Sequence, residues 1–258
     1  MILGASSGFG EATSLALARR GLHIFGVHLD RKAGLANVER IVREIKELGR
    51  EAVFFNVNAA DPEKRQEVLD QAGTLLAERG EPGSVVVLLH SLAFGALRPF
   101  ITDDPKDALS QSQLEMTLDV MANSLVYWTQ DLVQRKMMER GARIFAMTSS
   151  GGNHVWPTYG AVSAAKAALE AHVRQLAFEL APLGITANAV RAGVTDTPAL
   201  RKIPGHENLV KGGLAKNPHG RLTTPEDVAE AIAALCGQGT HWITGNVIGV
   251  DGGEDLTG

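Results

Sequence analysis

The sequence predicts an α/β fold: a doubly wound parallel sheet with helices on both faces, in a single domain over residues 1–258. Three observations predict it. Short apolar runs alternate with helical stretches along the whole chain. The runs are continuous rather than alternately apolar and polar, as strands buried on both faces are. No linker, repeat or composition break divides the chain, and 258 residues suffice for one sizeable core.

The elements follow in order. "MIL" at the start reads as the end of a first strand, which is then very short. "EATSLALARRG" continues as a helix, and "HIFGV" (23–27) as the second strand. "ANVERIVREIKELG" (36–49) sets Val38, Ile41, Val42 and Ile45 on one helical face and stops at Gly49. "AVFFNV" (52–57), "SVVVLL" (84–89), "RIFAMT" (143–148), "TANAV" (186–190) and "NVIGV" (246–250) read as further strands, rich in β-branched residues. Helices are expected over 62–80, 114–135, 159–180 and 225–237, the last with Pro225 near its start. Residues 198–222 read as a long irregular segment. Strand–helix alternation calls for right-handed crossovers.

Bulk properties exclude several functions. The net charge of −4 gives no general attraction to nucleic acid or to an anionic membrane. The single cysteine, Cys236, excludes a disulfide framework and reads as a buried small hydrophobe near a helix end. No apolar run has the length to span a bilayer and no signal peptide is evident, so a cytoplasmic protein is expected. The eight histidines show no metal-ligand spacing, and no metal is expected. Trp128, Trp156 and Trp242 read as packing residues.

"GASSGFGEA" (4–12) lies between the first strand and the first helix. Gly4, Gly8 and Gly10 permit a tight turn and close approach of backbone to a pyrophosphate, and the helix start adds amide donors. The end of the second strand should then meet the adenosine ribose. His28 stands there and is not acidic, and Asp30, Arg31 and Lys32 follow. Arg31 and Lys32 suit a 2′-phosphate, so NADPH is the expected cofactor; Asp30 leaves NADH open.

"WPTYGAVSAAKAALE" (156–170) holds Tyr159 and Lys166, seven residues and so two helical turns apart on one face. A lysine holding a nicotinamide ribose would put a tyrosine four residues earlier beside the carbon that receives hydride. Three more residues carry it about 4.5 Å farther, at roughly 1.5 Å per residue. That offset suits the oxygen of an α,β-unsaturated thioester, which is remote from the β-carbon. Tyr159 is expected to donate to the forming enolate oxygen, with Lys166 lowering the phenol's pKa through its charge.

The chain resembles the short-chain dehydrogenases/reductases, and more narrowly the bacterial enoyl-acyl-carrier-protein reductases. "GASSGFG" is similar to the superfamily cofactor loop, which implies contacts from Gly4, Ser6, Ser7, Gly8, Phe9 and Gly10. "LLHSLAFG" (88–95) is similar to the enoyl reductases' "HS-x-x-F", implying backbone cofactor contacts at Ser91 and Leu92 and a nicotinamide or acyl contact at Phe94. Tyr159-x6-Lys166 is their spacing, where ketoreductases carry Tyr-x3-Lys. "VRAGVTDT" (190–197) matches the segment that meets the nicotinamide, implying Gly193, Val194, Thr195 and Thr197. "ITGNVIGVDGG" (243–253) is the familiar last strand. The resemblance implies a Rossmann-type fold and a homotetramer formed through helices such as 114–135 and 159–180.

Two departures from the commoner patterns stand out. The ketoreductases' helical Asn corresponds to Met121, with Asn123 out of register. The enoyl reductases' second tyrosine corresponds to Ser149, which also matches the ketoreductase serine. A serine-bearing, NADPH-preferring subgroup of enoyl reductases has this serine, and Asn56 and Val57 at the adenine look like that subgroup. Ser149 is therefore a third candidate catalytic residue, as a substrate-oxygen contact, with helix capping as the alternative.

Residues 198–222 are a candidate lid, apolar at Leu200, Ile203, Leu209, Val210 and Leu214 and suited to an acyl chain, with Leu200 as the expected substrate contact. The segment carries Arg201, Lys202, Lys211, Lys216 and Arg221 against Glu207, a sign that would steer an acidic acyl carrier protein. The expected activity is NAD(P)H-dependent reduction of the C2=C3 bond of trans-2-enoyl thioesters in fatty-acid synthesis. Alternatives are a short-chain reductase acting on a carbonyl or on an enoyl or dienoyl coenzyme A, and a catalytically silent dinucleotide-binding redox sensor.

Overall fold

The computed structural model describes residues 1–81 and 85–257. Seven strands form one sheet: β1 (Ile2–Leu3), β2 (Ile24–His28), β3 (Ala52–Asn56), β4 (Val87–His90), β5 (Arg143–Ser149), β6 (Thr186–Ala192) and β7 (Val247–Val250). Their order is β3-β2-β1-β4-β5-β6-β7, and every recorded pair is parallel. The chain winds outward one way from β1 and then the other way from β4. Strand order reverses between β1 and β4, and ligands bind past the carboxyl ends of strands at such a point. Ile2 and Leu3 of β1 pair on both sides, with β2 and β4. The expected start of the fourth strand at Ser84 lies outside the described residues.

The helices are α1 (Gly8–Arg19), α2 (Lys32–Glu47), α3 (Pro62–Glu78), α4 (Gln111–Leu118), α5 (Ser124–Gln134), α6 (Gly160–Leu180), α7 (His206–Lys216) and α8 (Pro225–Leu235). Side chains alternating along each strand feed two cores. Leu3, Ile144 and Ala146 pack with α3, α5 and α6 on one face. Ile2, Phe145 and Met147 pack with α1, α2 and α8 on the other. Each such large apolar side chain, wholly removed from water, contributes about 2 kcal/mol. Helix starts follow local chemistry. Asp61 accepts from the amides of Glu63 and Lys64 ahead of Pro62, and Thr224 and Asp227 form a reciprocal capping box around Pro225.

Four expectations need correction. The single helix expected over 114–135 is two helices joined by one π-helical turn, Asp119–Asn123. An apolar period does not reveal such a turn, because it changes the hydrogen-bonding step and not the residue types. The segment 198–222 is not irregular throughout, since α7 occupies its middle. Gly213 in this helix serves packing: a Cβ there would lie 2.8 Å from that of Val194. Trp242 is 90% exposed and packs no core, whereas Trp128 is fully buried and donates to the Ala59 carbonyl at 2.8 Å. Cys236 is partly rather than fully buried, and burial still pushes its thiol up to about 11. No helix among the described residues is long and apolar enough to cross a membrane.

Candidate active site

The site gathers at the carboxyl ends of β1, β4, β5 and β6. Gly4 leaves β1 with φ +87, and a Cβ there would lie 2.4 Å from the Ser91 carbonyl oxygen. The glycine lets the loop pass against the chain leaving β4. Ser7 caps α1 in extended conformation without a side-chain bond. Among the described residues, the amides of Gly8, Phe9 and Gly10 meet no acceptor in the chain. Free amides at a helix start are what a pyrophosphate requires. Thr197 closes this region from the β6 side, its methyl 3.4 Å from where a Gly8 Cβ would stand. Ser6 lies on the loop's other flank, its carbonyl accepting from Asn37 at 2.8 Å.

The adenosine end is pinned by hydrogen bonds. His28, buried at the end of β2, shares a 2.8 Å contact between Nδ1 and an Asp30 carboxylate oxygen. Asn56 bonds both the amide and the carbonyl of Asp30, at 2.9 and 3.0 Å. The Asn56 side chain therefore holds the 28–30 turn in place. Val57 donates its amide to the His28 carbonyl at 2.8 Å. Arg31 stands exposed at the α2 cap, and among the described residues it forms no ion pair.

Tyr159, Lys166 and Ser149 come together where β5 meets α6. Tyr159 is the residue that caps α6. Lys166 is buried, and its ammonium donates to the Met147 carbonyl at 2.7 Å. Burial lowers its pKa to about 8, opposed by the charge of Glu170. Glu170 in turn accepts from Thr148 at 2.7 Å, so the lysine and the glutamate clamp neighbouring residues of β5. Burial raises the pKa of the Tyr159 phenol, opposed only by Ser149. The expectation that Lys166 would lower it is not met: the ammonium is turned to Met147. Ser149 lies close enough to favour the phenolate, yet its buried Oγ makes no hydrogen bond at bonding distance. That orphaned hydroxyl beside a phenol suits a substrate oxygen. It also argues against helix capping, because Ser149 caps nothing with its side chain.

The segment after β6 is braced. Glu254 accepts from the Val194 amide through both carboxylate oxygens, at 3.2 and 3.0 Å, and burial raises its pKa. A Cβ on Gly193 would meet Thr223 and Glu254. Thr195 is buried, its hydroxyl on the Gly193 carbonyl at 2.9 Å. Leu200 opens a short 3-10 turn, Leu200–Lys202, and donates its amide to Thr197 at 3.2 Å. Leu92 is partly buried against the core, while Phe94 is 61% exposed and so is no core residue.

Sequence reasoning gave no role to His90 and Phe100 beside this site, while Met121 and Asn123 were singled out by it. His90 is wholly buried with Nε2 2.9 Å from Ser124, and desolvation and the Lys166 charge lower it to about 3. Phe100 packs on Gly160, the residue after Tyr159: a Cβ there would lie 2.6 Å from its ring. Met121 is buried with its sulfur against Gly95 and so fills the ketoreductase asparagine's place with an apolar group. Asn123 is directed elsewhere, 3.1 Å from His172. Among the described residues no cluster of His, Cys, Asp or Glu could hold a metal.

The model of a family described as enoyl-(acyl carrier protein) reductase matches residues 4–254. The 1-cyclohexenylcarbonyl-CoA reductase of Streptomyces collinus is 31% identical over 99% of this chain and 86% of its own. The 3-oxoacyl-[acyl-carrier-protein] reductase of Thermotoga maritima is 28% identical over 98% of this chain and 96% of its own. The crystal structure of an enoyl-[acyl-carrier-protein] reductase (NADH) from Aquifex aeolicus superposes with TM-score 0.82 at 27% identity, covering 100% of this chain and 96% of that one. The chain belongs to the short-chain dehydrogenase/reductase superfamily, within the family of the enoyl-(acyl carrier protein) reductases.

Proposed function

We propose that the protein reduces the C2=C3 bond of trans-2-enoyl thioesters, with NADPH as the preferred reductant. The coarser level, an NAD(P)-dependent oxidoreductase, follows from family membership. The finer one rests on a single observation: Tyr159, with its pKa raised by burial, stands seven residues before Lys166 and beside the unpartnered Ser149 hydroxyl. A reduced nicotinamide, when bound, would supply the hydride that the substrate takes at C3. Charge then develops on the thioester oxygen. A phenol that keeps its proton at neutral pH is a donor to that oxygen, and Ser149 offers a second hydrogen bond. Lys166 carries the ammonium suited to the ribose hydroxyls. The enolate takes a proton from solvent at C2 to complete the reduction.

Two related readings have their own support. The serine keeps a carbonyl reductase in view, as does similarity to a 3-oxoacyl reductase. Similarity to 1-cyclohexenylcarbonyl-CoA reductase favours a coenzyme A thioester over a carrier-linked one. Against a silent redox sensor stands the intact set of Tyr159, Lys166 and Ser149. On the cofactor, the exposed Arg31 supports NADPH, whereas the Asp30 carboxylate held by His28 supports NADH.

The test uses a reductant deuterated at the transferred position of the nicotinamide. The saturated thioester should carry deuterium at C3, and Tyr159→Phe should lower the rate by roughly 100-fold or more. Deuterium on a carbinol carbon from a keto substrate, with no enoyl turnover, would replace this reading with carbonyl reduction.

A further inference from the structure

Tyr159 stands at the start of α6, so the helix supports its ring from one side only. Two features on the other side hold it. The first is the turn that precedes it. The Tyr159 amide donates to the Trp156 carbonyl at 3.1 Å, which makes Trp156–Tyr159 a β-turn with Pro157 and Thr158 at its centre. Thr158 has φ +63, the left-handed value that the second central residue of a type II turn takes. Glycine or asparagine is the ordinary choice there, and a β-branched residue is strained. The Thr158 Oγ1 is also buried without a hydrogen-bond partner. Strain of this kind persists only where the surroundings over-determine it, and it concentrates at functional sites.

The second feature is Gly151, in the short turn after β5. A Cβ there would lie 2.6 Å from Tyr159 Cε1, 3.1 Å from Cδ1 and 3.2 Å from Ser149 Oγ. The phenol ring therefore rests directly on the Gly151 backbone, with Ser149 at the same spot. Any side chain at 151 would move the ring or the serine.

We propose that the Trp156–Tyr159 turn and Gly151 form a seat for the phenol ring, which makes Thr158 and Gly151 positioning residues for the proton donor. The inference rests on the reading of Tyr159 as that donor. A tyrosine four residues before the lysine would be carried inside the first turn of the helix. The longer spacing places it at the cap, and the seat supplies the rigidity that the helix does not.

Two readouts test this. In the first, the chain's two tyrosines are labelled with carbon-13 at Cζ, and Tyr127→Phe leaves only the Tyr159 resonance. It should titrate above the ordinary phenol range. Gly151→Ala and Thr158→Gly should bring it back toward that range as the ring leaves its seat, and Thr158→Asn should not. In the second, steady-state kinetics with an enoyl thioester, Gly151→Ala and Thr158→Gly should lower kcat by roughly 10- to 100-fold with KM and cofactor Kd unchanged. Thr158→Asn should stay within about threefold of the parent, since asparagine accepts the left-handed turn. Thr158→Gly keeps the left-handed φ but frees the turn to leave it, so the seat stays testable even if Gly151→Ala fails to fold. An unchanged Tyr159 titration in Gly151→Ala or Thr158→Gly would overturn the proposal. A parent enzyme without enoyl turnover would overturn the functional reading instead, and the titration would still decide the seat.

Discussion

Lys166 needs its charge in a place that disfavours charge. Burial lowers its pKa to about 8, with Glu170 opposing. An unfolded lysine titrates near 10.5. Below about 8 the ammonium is present in both states and its burial is a fixed cost to folding. Between about 8 and 10.5 the unfolded chain binds more protons, so this residue makes stability rise with pH across that window. Lys166→Met should therefore raise Tm at pH about 7 and flatten that rise while eliminating turnover, as melting curves across pH would show. Turnover in the parent should fall above pH about 8 as the free enzyme loses the ammonium. At the cofactor's other end, Asp30→Ser should weaken NADH binding and leave NADPH binding equal or tighter, read by fluorescence titration of each. Tighter NADH binding in that variant would remove Asp30 from the ribose site. Tyr159 and Lys166 were legible from their spacing. Gly151 and Thr158 were not, because neither a close approach nor a left-handed φ follows from residue type.

Elements were most legible where one local rule and one tertiary need coincide. In α8, Thr224, Pro225 and Asp227 spell a helix start, and Val228 and Ile232 bury its apolar face. The Arg221 guanidinium holds the Asp227 carboxyl well below the usual range, so the box is intact at neutral pH. Thr224→Ala should cost about 1 kcal/mol. That should appear as a Tm lower by about 2–4 °C, with cofactor binding untouched. Elements were illegible where the two conflict. The π turn at Asp119–Asn123 interrupts a sequence that reads as one helix, and it turns Met121 inward toward Gly95. In α7 the glycines at 212 and 213 look like loop, yet Gly213 is what lets the helix approach Val194.

For the whole molecule, the parallel sheet was legible in the strand–helix alternation, because strands buried on both faces read as continuous apolar runs. Assembly and partners rest on surface chemistry. Phe178 on α6 is 78% exposed, which fits the proposed homotetramer through that helix, and sedimentation should find four chains together. The basic character of 198–222 is weaker than its composition indicates. Arg201 is paired with Asp196 and Arg221 with Asp227. Lys202, Lys211 and Lys216 remain exposed, as docking of an acidic carrier would require. Reversing the charge of Lys211 and Lys216 should slow turnover of a carrier-linked thioester and spare the coenzyme A thioester; equal loss on both would remove the carrier from the account. We propose that the Tyr159–Lys166 spacing serves a C=C bond. Its most direct test follows cofactor absorbance with a crotonyl or trans-2-decenoyl thioester beside an acetoacetyl thioester, under NADPH and NADH in parallel. Turnover of the enoyl substrates, lost in Tyr159→Phe, is the predicted result. Turnover of the keto substrate alone would contradict it and make Ser149 the mark of a carbonyl reductase.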